Sequence, residues 1–145
     1  MSKMNIRIEG IDELFADLKR LGKVSETAVV DTINDIADDT RQFAVNGLKN
    51  GPASGRTYKR GAGTHRASAP GEYPMSDTGR LASNVQFTVA TKAKPQALVG
   101  TNIVYGAYLE FGTSKMSARP WLMPSFQKAV VGVAAELKAK LKGQT

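Results

Sequence analysis

Few residues in this 145-residue chain are of a type that does bond-making chemistry. His65 is the only histidine and there is no cysteine, which excludes thiolate nucleophiles, thiolate metal sites and disulfides together. His65 lies in a glycine-rich segment and reads as a solvated loop side chain rather than a general base. Asp77 and Glu110 are the only carboxylates between Glu72 and Glu136, and nothing in their spacing supports a paired-carboxylate hydrolase. Gly112-Thr-Ser-Lys115 lacks the residue order of a phosphate loop, and Gly61-Ala-Gly63 does not follow a predicted strand as a dinucleotide fingerprint would. No metal-ligand spacing is present. Catalysis needs convergent groups of matched pKa, so the expectation is a protein that is not an enzyme and takes no cofactor.

Charge, by contrast, comes in blocks. The formal net charge is +7, yet the first third of the chain is acidic and the remainder basic. Asp31, Asp35, Asp38 and Asp39 fall along one side of a predicted helix, opposite its apolar stripe. Two of their spacings are like-charge pairs four residues apart, each costing a few tenths of a kcal/mol on an isolated helix (~0.3). Two readings stand: an ordinary solvated face, or a face that a basic partner neutralises. Arg56, Lys59, Arg60 and Arg66 of a neighbouring copy would be such a partner. A basic remainder beside an acidic first third is compatible with nucleic acid, and equally with copies that attract each other head to tail.

The aromatic residues are concentrated too. Tyr105, Tyr108, Phe111 and Trp121 share one short window with Leu109, Leu122 and Met123. Aromatics beside cations can hold single strands by base stacking. Core or subunit-interface packing is the better reading here, because the window joins a predicted hairpin to a predicted helix. Glu110, an acid inside an apolar run, needs a partner, either Arg119 or a backbone amide.

The elements that position these groups follow from periodicity. Residues 4–9 alternate apolar and polar as a short strand. Ile11, Leu14, Leu18 and Leu21 make a helical stripe that Gly22 ends. A longer helix is predicted from Ser25 to Lys49, with Val29, Ile33, Ile36, Ala37, Thr40, Phe43, Ala44 and Leu48 facing inward. Residues 51–76 are rich in glycine and proline and read as a basic arm without structure of its own before assembly. Asp77 or Thr78 caps one helical turn through Ser83. Val85, Phe87 and Val89 pair with Ala97–Thr101 across the Lys92–Pro95 turn. Tyr105–Phe111 is ambiguous between helix and extended chain. Pro124 suits the first turn of a last helix, with Phe126, Val130, Val133, Leu137 and Leu141 inward and Lys138, Lys140 and Lys142 at its end. The predicted fold class is α+β, a single domain over 1–145. A short antiparallel sheet packs against a long helix and a C-terminal helix, and a long basic loop protrudes. The N-terminus has no signal-peptide run and no segment is long and apolar enough for a membrane span.

Two blocks resemble a bacteriophage family. Tyr105, Tyr108, Leu109, Glu110, Phe111, Gly112 and Thr113, followed by Ala118, Arg119, Pro120, Trp121, Leu122 and Pro124, are similar to the signature of the small neck and tail-completion proteins of long-tailed phages. Upstream, Thr78, Gly79 and Leu81 match a second, weaker element. The resemblance implies a structural virion protein made in the host cytoplasm. It would form a ring, hexameric by analogy, at the head–tail junction. Its partners would be itself, neighbouring neck and tail-tube or tail-terminator proteins, and DNA passing through without sequence-specific binding. The subunit-interface candidates are Asp31, Asp35, Asp38, Asp39, Arg56, Lys59, Arg60, Arg66, Tyr105, Tyr108, Phe111, Arg119 and Trp121. The competing readings are a free nucleic-acid-binding module, though no helix-turn-helix, finger or RRM pattern is present, and a phage assembly factor absent from the virion.

Overall fold

The computed structural model describes residues 4–8, 16, 26–75 and 78–142. Its elements in chain order are β1 (Met4–Ile8), α1 (Glu26–Asn50), β2 (Thr57–Arg60), β3 (Gly63–Arg66), α2 (Arg80–Ser83), β4 (Gln86–Phe87), β5 (Ala97–Thr101), α3 (Val104–Phe111) and α4 (Leu122–Lys142). The predicted helical stripe from Ile11 to Leu21 lies outside the described residues, except that Ala16 is helical. No helix among the described residues is long and apolar enough to cross a membrane.

The architecture is the α+β arrangement that the patterning implies. A three-stranded antiparallel sheet runs β1-β5-β4, and α1 packs across it and along α4. In β5, Ala97, Val99 and Thr101 are buried while Leu98 and Gly100 are half-buried, the alternation of a strand with one face on the core. The predicted hairpin forms, in a register that pairs Phe87 with Val99. Thr88 still donates its amide to the Leu98 carbonyl at 2.8 Å; beyond it the chain leaves the ladder, and Val89 is exposed. Asn34 of α1 takes over there. Its amide donates to the Ala90 carbonyl at 3.2 Å and its oxygen accepts from the Ala90 amide at 2.7 Å, so a side chain replaces the missing strand partner.

The inner face of α1 is largely as its period predicts: Ile33, Ile36, Ala37, Ala44 and Leu48 are buried. The buried Thr40 hydroxyl donates to the Ile36 carbonyl at 2.6 Å, which satisfies it within the helix. Phe43 departs from the prediction and is exposed. Periodicity gives the direction a side chain faces, whereas the partner elements decide how much of that face is covered. The single turn α2 also differs. Its N-cap is Gly79 with no side-chain cap, while the Thr78 hydroxyl accepts the Arg80 amide only at 3.4 Å; Asp77 lies outside the described residues.

The largest correction concerns the arm. Residues 57–66 are not structureless; β2 and β3 form an antiparallel hairpin with Tyr58 opposite His65 and Arg60 opposite Gly63. Gly61, at φ +57°, supplies the tight two-residue turn between them, so the glycine pair that looked like loop filler follows a strand after all. Below the strands the pairing continues, with the Gly55 amide donating to Ala67 and the Ala67 amide to Arg56. Glu72 fastens the base by accepting the Ala69 amide at 2.8 Å and the Ser54 hydroxyl and amide.

Tyr73 roots the hairpin in the core. Its hydroxyl is 2.9 Å from Ser125 Oγ on α4, the Lys128 ammonium lies 5.4 Å from its ring centroid, and its ring covers Gly47 of α1. A Cβ at Gly47 would stand 2.3 Å from two ring carbons. Gly→Ala in a helix interior ordinarily stabilises by about 1 kcal/mol. Here Gly47→Ala is expected to destabilise by about 2 kcal/mol instead, because the ring is held from the far side and cannot yield. A denaturant midpoint above that of the wild type would contradict this packing.

Candidate functional site

The residues of the aromatic window divide into two sets with opposite fates. One set builds a joint between α3 and α4. The other is left on the outside.

The joint is built on Trp121 and Glu110. Trp121 is fully buried, and its indole N–H donates to the Gly106 carbonyl at 3.0 Å. Gly106 lets α3 come this close: a Cβ there would meet Thr101 Cγ2 at 2.8 Å and Trp121 Cζ2 at 3.4 Å. Trp121 was a subunit-interface candidate and is corrected on this point. An indole with no exposed surface is part of the core and cannot also line a contact between copies.

Glu110, in the last turn of α3, is 8% exposed. Of its two expected partners the backbone amides are the ones found. The Trp121 and Leu122 amides donate to Oε2 at 2.7 and 2.9 Å, and the Met123 amide donates to Oε1 at 3.0 Å. A helix start leaves its first amides without intrahelical acceptors. In α4 the next residue is Pro124, which has no amide hydrogen to satisfy. One carboxylate and one proline thus account for the opening turn, and the negative charge sits where the helix dipole favours it. Arg119 instead gives its backbone amide to the Leu109 carbonyl at 2.6 Å. Its guanidinium Nε is buried without a hydrogen-bond partner.

Outside the joint, Val104, Tyr108 and Phe111 fall within one stripe of α3, with Tyr105 beside it. Tyr105 is 40% exposed, Tyr108 50% and Phe111 75%. Met123, at the start of α4, is exposed as well. These three aromatics do not meet Trp121 in the core as one cluster; the helix directs them away from it.

The turn after α3 gives little to a ligand. A depression of about 290 Å³ over it is lined by Thr113, Ser114, Lys115, Met116 and Ser117. The amides of Thr113, Lys115 and Met116 are all used within the turn, so they do not cradle a phosphate.

The charged candidates are also sorted by the fold. Arg56 and Lys59 of the hairpin are exposed. Arg66 is committed to its own hairpin, donating to the carbonyls of Gly55 at 3.2 Å and Ser54 at 3.5 Å. Asp31 and Asp35 are exposed and Asp38 and Asp39 half-buried on α1. Asp38 accepts from the Gln42 amide at 2.7 Å. Burial, then the carboxylates of Glu136, Asp38 and Asp35, hold the Asp39 carboxyl above the usual range. Glu136 was not anticipated, because it reaches this ridge from α4 and only the packing of the two helices reveals it. The acids do not form a group that could hold a metal ion among the described residues.

The raised Asp39 sets a sign for its pH dependence. The folded chain holds this proton more tightly than the unfolded chain, so ionised Asp39 opposes folding at neutral pH and the penalty fades as the pH falls through the carboxylate range. Asp39→Asn is expected to raise the melting temperature slightly at pH 7, with the gain shrinking toward pH 4. A lower melting temperature at pH 7 would show that the carboxylate has a favourable partner. Compared with protein-family models, curated proteins and solved structures, the chain has no match.

Proposed function

We propose that this chain is a structural subunit of a tailed-bacteriophage virion, one copy of a ring at the head–tail junction around the channel through which DNA leaves. The observation that carries the reading is the exposed aromatic stripe of α3 on a rigid mount. Phe111, Tyr108 and Tyr105 are exposed while Glu110, among them in sequence, and Trp121, beyond them, lock the helix that bears them. A contiguous exposed apolar surface of this kind marks a contact with another protein, and Tyr, Phe and Met are the residue types enriched at the centres of such contacts. The resemblance of the same window to phage neck and tail-completion proteins names the assembly. Ring closure needs two different surfaces on one chain, and the basic hairpin and acidic α1 face lie on different elements.

Two experiments test the proposal. The chain should be found in purified particles of the phage that encodes it; finding it only in infected-cell lysate would make it an assembly factor. Tyr108→Ser with Phe111→Ser should leave the melting temperature nearly unchanged, since both side chains are exposed, and should reduce the oligomer at least tenfold in sedimentation. An unchanged oligomer would remove the stripe from the interface.

The exposed cations of the hairpin, with Tyr58 exposed between them, favour a second reading as a nucleic-acid-binding module. Binding of that kind would fall steeply with salt, whereas an apolar ring contact would not.

A further inference from the structure

We propose that the β2–β3 hairpin of one copy lies across the acidic ridge of the next, with Arg56 and Lys59 against Asp38 and Asp39 of α1 and Glu136 of α4. This inference rests on the ring reading and names the partner of its charged surfaces, a second copy of this chain.

The hairpin is built to be presented. Its base is fastened by Glu72 to Ser54 and Ala69, and Tyr73 anchors it between α1 and α4. A contact made by such an element does not have to order a loose segment first, which is a principal cost of association. Arg66 is turned back onto the Gly55 and Ser54 carbonyls. Among the described side chains of the hairpin, Arg56 and Lys59 are exposed cations, flanking the exposed Tyr58.

The ridge is the complementary half. It is assembled from two helices, and among the described residues the charges that act on Asp39 are those of Glu136, Asp38 and Asp35. Like charges brought together by folding leave a surface that an incoming cation stabilises. Arg56 and Lys59 of the same copy are not among the charges that act on Asp39, and their hairpin springs from the C-terminal end of α1, roughly 18 Å along the helix axis from Asp39 at 1.5 Å per residue. Donor and acceptor surfaces on different parts of one chain define a heterologous contact, the type that propagates from copy to copy and closes into a ring. Electrostatic pairing of this kind fixes register and partner choice more than raw affinity, which suits a ring whose apolar contact is made elsewhere, by α3.

Charge reversal tests this. Arg56→Glu with Lys59→Glu, and separately Asp38→Lys with Asp39→Lys, should each weaken oligomer formation tenfold or more by native mass spectrometry, with circular dichroism unchanged. The two variants mixed should assemble, because the acidic hairpin of one then meets the basic ridge of the other, and only alternating oligomers with even copy numbers should appear. Carbodiimide treatment of the wild-type oligomer, mixed from isotopically light and heavy chains, should join Lys59 to Asp38, Asp39 or Glu136 between copies. Wild-type oligomers that persist in both reversed variants would overturn this contact and leave the ring reading standing. A wild-type monomer at every concentration would overturn both. Loss of duplex binding in the hairpin variant, with its oligomer unchanged, would assign the hairpin to nucleic acid and overturn the contact.

Discussion

Replacing Trp121 by alanine is expected to cost about 4 kcal/mol, the largest loss of any single substitution considered for this chain. The indole is fully buried, fills the space that Gly106 opens on α3, and donates to the Gly106 carbonyl at 3.0 Å. Alanine leaves a cavity bounded by Gly106, Thr101 and Leu81, side chains and backbone fixed in three different elements that have little freedom to collapse into it. Against a typical domain stability of about 5–15 kcal/mol, such a loss brings the protein near its unfolding threshold. Its melting temperature should fall by roughly 10 °C or more at about 3 °C per kcal/mol. Trp121→Phe separates the parts, keeping most of the apolar volume and losing the N–H donor, and should cost about 2 kcal/mol. An alanine variant melting within a degree or two of the wild type would mean that the α3–α4 joint is not built on this indole.

Glu110→Ala should come second, at about 3 kcal/mol. Its carboxylate accepts from the Trp121, Leu122 and Met123 amides at 2.7, 2.9 and 3.0 Å, and without it those buried donors lose their acceptor in a place water reaches poorly. A lost cap alone costs about 1 kcal/mol, and a hydrogen bond to a charged group contributes about 1.5–3 kcal/mol. The three bonds share one group and one helix end, so they do not add in full. Glu110→Gln should fall between wild type and alanine. Its one carbonyl oxygen can replace Oε2, but its NH₂ then faces the Met123 amide, donor against donor. Hydrogen exchange should accelerate at the Met123 amide in both variants and at the Leu122 amide in the alanine variant. Equal unfolding midpoints for wild type and alanine would show that α4 starts without this carboxylate. Under the proposed ring function, a loosened joint no longer holds Tyr108 and Phe111 in a fixed direction, and the variants should also assemble less well.

Much of this was legible in the sequence, and the failures have a common cause. The long helix was placed within one residue at the end that can be compared, Lys49 against Asn50, because its buried face repeats over several turns. That the Phe87 strand pairs with Ala97–Thr101 followed from its alternation and the Lys92–Pro95 turn, while the register of Phe87 opposite Val99 did not. Tyr105–Phe111 stayed ambiguous because its aromatics face out and carry no inward stripe; the helix is fixed by the Glu110 and Trp121 bonds, which are tertiary. The hairpin at 57–66 was missed because its described side chains are exposed apart from the half-buried His65, so Thr57-Tyr58-Lys59-Arg60 and Gly63-Thr64-His65-Arg66 carry no apolar alternation. Its one local signal was the Gly61-Ala62 turn between two short runs. Within the site, residue type told which groups matter and packing told which way they face. Trp121 went inward, Arg66 was spent on its own strand base, and Glu136 joined Asp39 from another helix.

The measurement that tests the central claim most directly is a native mass spectrum of the wild-type protein, alone and with a short DNA duplex, at two salt concentrations. A ring subunit should give a closed oligomer of one defined copy number at both salts and take up no stoichiometric duplex. Complexes of one or two chains per duplex that dissolve as the salt rises, with no closed oligomer at either salt, would contradict the account and make this chain a nucleic-acid-binding module.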